Sequence, residues 1–175
     1  MIFDMTKRTG SGGGGGGGTT PLYPPCRPEK IKAGTVWMYM DNSVNGGHVK
    51  LQPTSTGGTY LVDIFNVRGG SSFSGSVEKL FTINSGDSCV LRVKNIFNDG
   101  NMTWNGNFRT PTNTAIYSGA FSLGDGTHTD GDITVSVTAP SNADVGYWFV
   151  YFGTLTANAI LEFDLEFWVN GTRYI

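Results

Sequence analysis

Hydrophobic and polar residues alternate one by one in two segments of the chain. The segment Leu161–Phe167 (Leu-Glu-Phe-Asp-Leu-Glu-Phe) sends its apolar side chains to one side and its acidic ones to the other when it is extended. The segment Ile133–Thr138 alternates apolar residues with threonine and serine in the same way. One apolar and one polar face are typical of antiparallel strands that have one side on the core and one in water. The pattern therefore predicts antiparallel strands at both places.

Turn-forming residues cut the chain after residue 35 into short segments that favour strands. Gly, Asn, Asp and Pro recur about every 8–12 residues, the spacing typical of a β-sandwich or barrel. No amphipathic helix of ten residues is visible. An all-β fold is therefore predicted, with strands at Val36–Met40, Gly47–Leu51, Thr59–Val67, Val77–Ile83, Ser88–Ile96, Asn101–Trp104, Ala115–Leu123, Asp132–Thr138, Gly146–Phe152 and Ala159–Val169, and a final edge at Thr172–Ile175.

The composition of the 175-residue chain supports this fold class and excludes two others. Only 15% of the residues are charged and 13% are aromatic. A chain that is disordered throughout has the opposite composition, with many charged and few aromatic residues. Ala, Glu, Lys and Leu are scarce, which argues against a helix bundle. The net charge of −2 gives no electrostatic reason to expect a nucleic acid or an anionic membrane as partner. The length fits one domain with a tail.

Residues 1–34 differ in composition from the rest and are predicted to form an extended N-terminal arm, ahead of a sandwich domain over residues 35–175. The arm contains an uninterrupted glycine run, and glycine loses more backbone entropy on ordering than any other residue. A proline-rich stretch follows, which favours an extended chain. We therefore expect a partner to hold the arm through Gly12, Gly13, Gly14, Gly15, Gly16, Gly17, Gly18, Pro21, Tyr23, Pro24 and Pro25.

The N-terminal residues Met1–Thr9 lack the basic start, apolar run and cleavage site of a secretory signal. No stretch approaches the ~18 apolar residues that a membrane helix needs. We therefore expect the protein to be made in a cytoplasm and kept there, or to leave it inside something larger. Cys89 lies in an alternating apolar segment and is expected to face the core as a small hydrophobic residue.

A corner between two predicted strands gives the sandwich more detail. Pro140 ends one strand, Asp144 and Gly146 turn the corner, and Tyr147 or Trp148 fills the end of the core. Together with the preceding strand and turn that end in a tryptophan, this block resembles immunoglobulin-like domains, including the four-tryptophan domains of selective autophagy receptors. The resemblance covers residues 83–169 and implies an antiparallel immunoglobulin-like β-sandwich. Residues 35–82 add more strands than a minimal immunoglobulin domain needs, so an eight-stranded jelly roll is the alternative.

The sequence carries no catalytic motif, and we expect neither enzymatic activity nor a cofactor. His48 and His128 lie outside any nucleophile turn, and the glycine run lacks the Lys-Ser/Thr end of a phosphate-binding loop. The two cysteines and two histidines are too far apart in sequence to suggest zinc. One loop offers oxygen ligands for Ca²⁺, namely Asp125, Asp130 and Asp132, but its Gly and Asp residues equally suit a solvated hairpin, which is the interpretation we favour.

Aromatic residues form a second group of candidates. Aromatic rings suit the apolar faces of sugars, so these side chains could form a glycan-stacking platform. A small sandwich also needs large side chains to fill its core, and the segment 147–152 is apolar on both faces, as expected of a strand buried on both sides or against a neighbouring subunit. We favour the core or an interface for Trp37, Trp104, Trp148 and Tyr151.

The layout of an extended Gly- and Pro-rich arm ahead of a compact β domain is similar to that of decoration and head-fibre proteins of tailed bacteriophages, including the crAss-like group. The likeness implies a non-enzymatic structural virion protein, located in the virion and tethered to capsid or other virion subunits by its arm. Such proteins assemble symmetrically, and a homo-oligomer, specifically a trimer, is expected. The alternative is a carbohydrate-binding or adhesin module at a fibre tip or cell surface, with a host glycan as ligand.

Overall fold

The computed structural model describes residues 29–33, 36–41, 48–57, 60–63, 68–70, 75–124, 126–129 and 131–175. The strands before residue 42 and the segment 68–70 are described by their backbone alone. The fold is all-β and antiparallel, so the predicted fold class is confirmed. The strands are β1 (Glu29–Ala33), β2 (Val36–Asp41), β3 (His48–Pro53), β4 (Tyr60–Asp63), β5 (Arg68–Gly70), β6 (Phe81–Ile83), β7 (Ser88–Asn98), β8 (Trp104–Arg109), β9 (Ile133–Thr138), β10 (Ala143–Val145), β11 (Tyr147–Phe152), β12 (Leu161–Val169) and β13 (Thr172–Arg173).

Two main sheets contain most of these strands. The large sheet has the order β1-β2-β3-β12-β7-β9, with β13 paired to β12, and the small sheet has the order β5-β4-β11-β8. A further pair joins β10 to β6. The late strand β12 lies between β3 and β7, so the centre of the large sheet joins segments that are far apart in sequence. The choice between an immunoglobulin-like and a jelly-roll topology stays a prediction.

The core lies between the two sheets and is built mainly from aromatic rings. Phe167 of β12 meets Phe108 of β8 with ring centroids 4.6 Å apart, and it also contacts Phe121 at 5.3 Å. Trp104 of β8 stacks on Phe163 of β12 at 5.1 Å. Offset and edge-on ring pairs of this kind add to the free energy gained by burying their area. These contacts hold the large and small sheets face to face.

The alternating segments behave as their patterns predict. Along β12, Leu161, Phe163, Leu165 and Phe167 are fully buried, whereas the acidic residues between them are partly exposed. The segment 147–152 forms β11, and its residues are buried on both faces except for Tyr151, which is partly exposed. Of the two residues predicted to fill the end of the core after the corner, Trp148 packs edge-on against Phe108 with ring centroids 4.9 Å apart, and Tyr147 is buried on the opposite face of β11. Cys89 is buried and free, and burial raises the pKa of its thiol to about 11.

One predicted strand is wrong. The segment Ala115–Leu123 contains a short 3₁₀ helix, Ile116–Gly119, in which Tyr117 and Ser118 have positive φ angles of 51° and 55°. Two consecutive residues with such angles interrupt an extended chain. The segment instead lies along the free edge of β8, where the backbone N–H of Leu123 donates to the carbonyl oxygen of Gly106 over 3.1 Å.

Other strand boundaries also differ from the sequence prediction. The prediction ended a strand at Trp104, whereas β8 begins there, because Asn101 (φ 47°) forms a turn. Buried Asn98 stabilises that turn by accepting a hydrogen bond from the backbone N–H of Met102 over 2.9 Å. The strand β1 (residues 29–33) falls within residues 1–34, which the sequence analysis assigned to the arm. Short β5 and β10 were not predicted either.

Candidate functional surfaces

Two of the aromatic candidates lie in the core, the position that the sequence analysis favoured for them. Trp104 is 1% exposed and Trp148 is 0% exposed, so neither ring can take part in the alternative, a glycan-stacking platform. The indole of Trp148 lies over Gly106, where an added Cβ would come within 2.5 Å of the ring. The absence of a side chain at Gly106 therefore makes room for Trp148. The side chain of Trp37 lies outside the described residues.

The outer side of the small sheet carries a row of aromatic residues on β11, which we call the aromatic face: Tyr147, Phe149 and Tyr151. Phe149 and Tyr151 stack with centroids 6.5 Å apart, and the guanidinium carbon of Arg109 lies 4.5 Å from the Phe149 centroid. Such a cation over a ring is attracted by the negative face of the π system. Of the three aromatic residues, Tyr151 is the one that remains partly exposed.

Polar side chains fix the position of Arg109 on this face. Its Nε donates to Asn107 Oδ1 over 3.0 Å, and one terminal nitrogen donates to the carbonyl oxygen of Asn113 over 3.0 Å. The Tyr147 hydroxyl donates to Asn113 Oδ1 over 2.5 Å. On the neighbouring strand β4, Asp63 lies opposite Phe149 and is fully buried. The aromatic face therefore combines apolar rings with hydrogen-bonding groups in fixed positions.

The outer side of the large sheet carries a second surface, a row of ion pairs across β3, β12 and β7 that we call the charged ladder. His48 lies between two carboxylates, with Nδ1 2.8 Å from Asp164 Oδ1 and Nε2 3.0 Å from Glu162 Oε1. Toward β7, Glu166 Oε2 lies 3.6 Å from a terminal nitrogen of Arg92, and Glu166 Oε1 lies 3.6 Å from Lys94 Nζ. Opposite charges face each other across neighbouring strands, which favours this strand register.

The pKa of Asp164 reflects two opposing influences within the charged ladder. Partial burial opposes ionisation of this carboxyl group, but hydrogen bonds from Asn95 and His48 and the positive charges of His48 and Lys94 outweigh that effect. The pKa of Asp164 is therefore lowered from its ordinary value. Asn95 Nδ2 donates to Asp164 Oδ2 over 2.6 Å. The sequence predicted that the acidic residues of β12 face water, but it could not show that β3 and β7 bring cations to them.

The predicted calcium loop is described in part. Asp125 and Asp130 lie outside the described residues. Asp132 is exposed, and its Oδ1 accepts the backbone N–H of Asn95 over 3.1 Å, a contact typical of a turn. His128 packs edge-on against Trp104, with ring centroids 5.5 Å apart. Within the described part of the chain, no group of three His, Cys, Asp or Glu side chains could hold a metal ion.

The predicted arm residues, Gly12–Gly18 with Pro21, Tyr23, Pro24 and Pro25, lie outside the described residues. The structure does describe the strand that follows residue 28 in sequence. Glu29 begins β1, which ends the order of the large sheet on the side opposite to β9. Strand β1 also contacts β5, the end strand of the small sheet. The N-terminal segment is therefore attached where the edges of the two sheets meet.

No family, characterised protein or solved structure was found to match the chain. In the described ranges, no helix is long and apolar enough to span a bilayer.

Proposed function

We propose that this chain is a non-enzymatic structural virion protein, a capsid decoration or head-fibre component whose β-sandwich is tethered by its N-terminal arm. The observation that carries the proposal is the position of Glu29. Glu29 follows the Gly- and Pro-rich segment in sequence and begins β1, the end strand of the large sheet. An arm attached at an edge can extend away from the sandwich without crossing either of its faces.

The composition of the arm suits a backbone-mediated attachment. A run of glycines has no side-chain volume, so it fits between neighbouring subunits and can pair with the edge strand of a partner. Ordering such a run has a large entropic cost. In a symmetric shell several arms engage one surface, and this multivalency offsets the cost for each copy.

The body has features that suit a structural role. The two sheets are joined by stacked aromatic rings, and the central strand β12 is ion-paired on both sides across the charged ladder. Each exposed ion pair contributes little stability by itself, but the row fixes the register of three strands. On the aromatic face, Tyr151 is partly exposed beside polar groups in fixed positions, and tyrosines are enriched in protein interfaces.

The experiment that tests the proposal is deletion of residues 1–28, which ends immediately before β1. We expect the truncated protein to keep its circular dichroism spectrum and thermal unfolding midpoint but to lose co-sedimentation with particles of the source virus. A matched control replaces residues 1–28 with a Gly/Ser segment of equal length that lacks the prolines and Tyr23.

The two variants separate the effects of arm length and arm sequence. Loss of binding in both variants supports attachment by the arm. Truncated protein that still co-sediments at the wild-type ratio would refute the tethering role.

A carbohydrate-binding or adhesin module is the second candidate, and Tyr151 is the observation that favours it. This ring is partly exposed on the aromatic face and stacks on Phe149. Sugar binding through this face predicts that glycan-array signals of the wild-type protein are lost in Tyr151→Ala. An array without signal for the wild type would exclude this candidate.

A further inference from the structure

Strand β9 is an edge of the large sheet that lacks the protection of other edges. Among the described residues it pairs with β7 on one side, and no strand pairs with it on the other. Its sequence, Ile-Thr-Val-Ser-Val-Thr, has no charge, proline or glycine. An uncovered edge without such residues is a template for pairing with another chain.

Two other edges of the sheets are protected. The edge of β8 is covered by residues 115–124 and by Gly126, through bridges between Arg109 and Ala115 and between Trp104 and Gly126. The edge strand β1 has the sequence Glu-Lys-Ile-Lys-Ala, and lysines on an edge discourage pairing. Strand β9 differs from both, because among the described residues it has neither a covering segment nor lysines.

The hydrogen-bond pattern shows which backbone groups of β9 point outward. Just beyond the end of β9, the N–H of Ala139 donates to the carbonyl oxygen of Asp87 over 2.9 Å, so that residue bonds toward β7. Bonding residues alternate along an antiparallel strand. Val137, Val135 and Ile133 therefore also bond toward β7. The N–H and C=O groups of the intervening residues point to the open side, namely those of Thr134, Ser136 and Thr138.

The side chains of β9 show that this edge is also open on the core side. Ile133, Val135 and Val137 face the core but are only partly buried. Their partners on β7 in the same layer are fully buried at 0% exposure, namely Cys89, Leu91 and Val93. The outermost row of the core is therefore an apolar strip that the described residues leave partly uncovered.

We propose that β9 pairs antiparallel with β9 of a second copy of this chain, about a two-fold axis at Ser136. This register uses the outward backbone groups of Thr134, Ser136 and Thr138 in both copies. It places Val135 opposite Val137 of the second copy on the core side, and Thr134 opposite Thr138 on the outer side. Valine and threonine pairs of this kind stabilise antiparallel sheets, and no like charges face each other.

The chemistry favours a second copy over the glycine arm as the occupant of this edge. The glycine run could form backbone hydrogen bonds, but it has no side chain to cover the apolar strip beside Val135. A second β9 satisfies both the backbone groups and the apolar strip. The contact is isologous and closes as a dimer. Because one strand from each copy forms it, it belongs to the small, reversible interfaces.

The first test is sedimentation velocity of the full chain over a concentration series. We expect a reversible dimer for the wild type and at least a tenfold weaker dimer for Ser136→Lys, because the two lysines would lie opposite each other. The matched control is Ser76→Lys, an exposed loop position that adds the same charge. Mixing Ser136→Lys with Ser136→Glu should restore a mixed dimer.

A wild-type protein that stays monomeric throughout the series would overturn the proposal, as would a dimer that Ser136→Lys leaves unchanged.

The second test reports the geometry directly. In a Cys26→Ser background, Ser136→Cys should form a disulfide-linked dimer on mild oxidation, because facing residues of a hydrogen-bonded antiparallel pair have Cα atoms about 5.5 Å apart. The control Ser76→Cys should not cross-link at the same rate. Equal cross-linking at both positions would show random collision and overturn the register.

Discussion

At the residue scale, the stability of this protein depends on aromatic side chains that join its layers. Phe167 is the clearest case, since its ring contacts Phe81, Phe108 and Phe121, which come from three separate segments of the chain. A chain that is rich in Phe and Tyr and poor in Leu fills its core in this way. Removing one such ring should therefore weaken the contact between the sheets, whereas removing an exposed ring should not.

Phe167→Ala should lower the free energy of unfolding by about 3–5 kcal/mol, because it removes buried apolar surface and leaves a cavity. The matched control is Phe97→Ala, since Phe97 is 49% exposed, and its loss should cost less than about 1 kcal/mol. Urea unfolding followed by tryptophan fluorescence measures both values. Equal losses for the two variants would contradict the described core.

The charged ladder predicts a pH dependence at Asp164. Its pKa is lower in the folded protein than in the unfolded chain, so its ionised form stabilises the fold above the unfolded value of about 3.9. That contribution is lost as the pH falls through the folded-state pKa. We expect the wild type to exceed Asp164→Asn in unfolding free energy at pH 6, and the difference to narrow below about pH 4. A difference that is constant from pH 6 to pH 3 would refute the ion-paired geometry.

At the scale of elements, the turns depend on residues that accept positive φ angles. The hairpin between β12 and β13 turns at Asn170 (φ 49°) and Gly171 (φ 78°), as two-residue hairpins with Asn-Gly commonly do. The Asn170 side chain also ties this turn to β7. Its Oδ1 accepts the backbone N–H of Ser88 over 2.9 Å, and its Nδ2 donates to Asp87 over 2.7 Å.

Two substitutions at Asn170 separate these roles. Asn170→Gly loses the side-chain hydrogen bonds but accepts the positive φ, whereas Asn170→Ala loses both. We expect the thermal unfolding midpoint to fall in the order wild type, Asn170→Gly, Asn170→Ala. The free energy of unfolding of the alanine variant should be about 1 kcal/mol lower than that of the glycine variant. This difference corresponds to a thermal unfolding midpoint about 2–4 °C lower for a chain of this size. An alanine variant as stable as the glycine variant would refute the strained turn.

The elements also show how far the sequence predicts this fold. Strict alternation predicted β9 and β12, because a face that meets the core must repeat every second residue. The segment Ala115–Leu123 misled because its apolar residues reach the core from an irregular segment that covers the edge of β8. The strand β1 was missed because its sequence, Glu-Lys-Ile-Lys-Ala, has few of the apolar residues by which the other strands were predicted.

The surfaces were harder to predict from the sequence than the strands. Tyr151 was a candidate, but the position of Arg109 over Phe149 depends on pairing between β8 and β11. The contact of His48 with Glu162 and Asp164 needs β3 beside β12, which are more than a hundred residues apart in sequence. Local patterns carry no information on such pairings.

At the scale of the whole molecule, the proposed tether and the proposed dimer contact lie at opposite edges of the large sheet. Strand β1, which follows the N-terminal segment in sequence, ends the large sheet on one side, and β9, the proposed dimer strand, ends it on the other. The two proposals therefore involve different edges of the sheet. The tether and the dimer contact can fail independently when they are tested.

The tethering arm is tested by amide hydrogen exchange over residues 10–20, compared between the free protein and the protein bound to virus particles. We predict that exchange in this segment slows at least tenfold on binding, whereas exchange in the buried strand β12 is unchanged. The same exchange rate for residues 10–20 in both states would contradict a tethering arm.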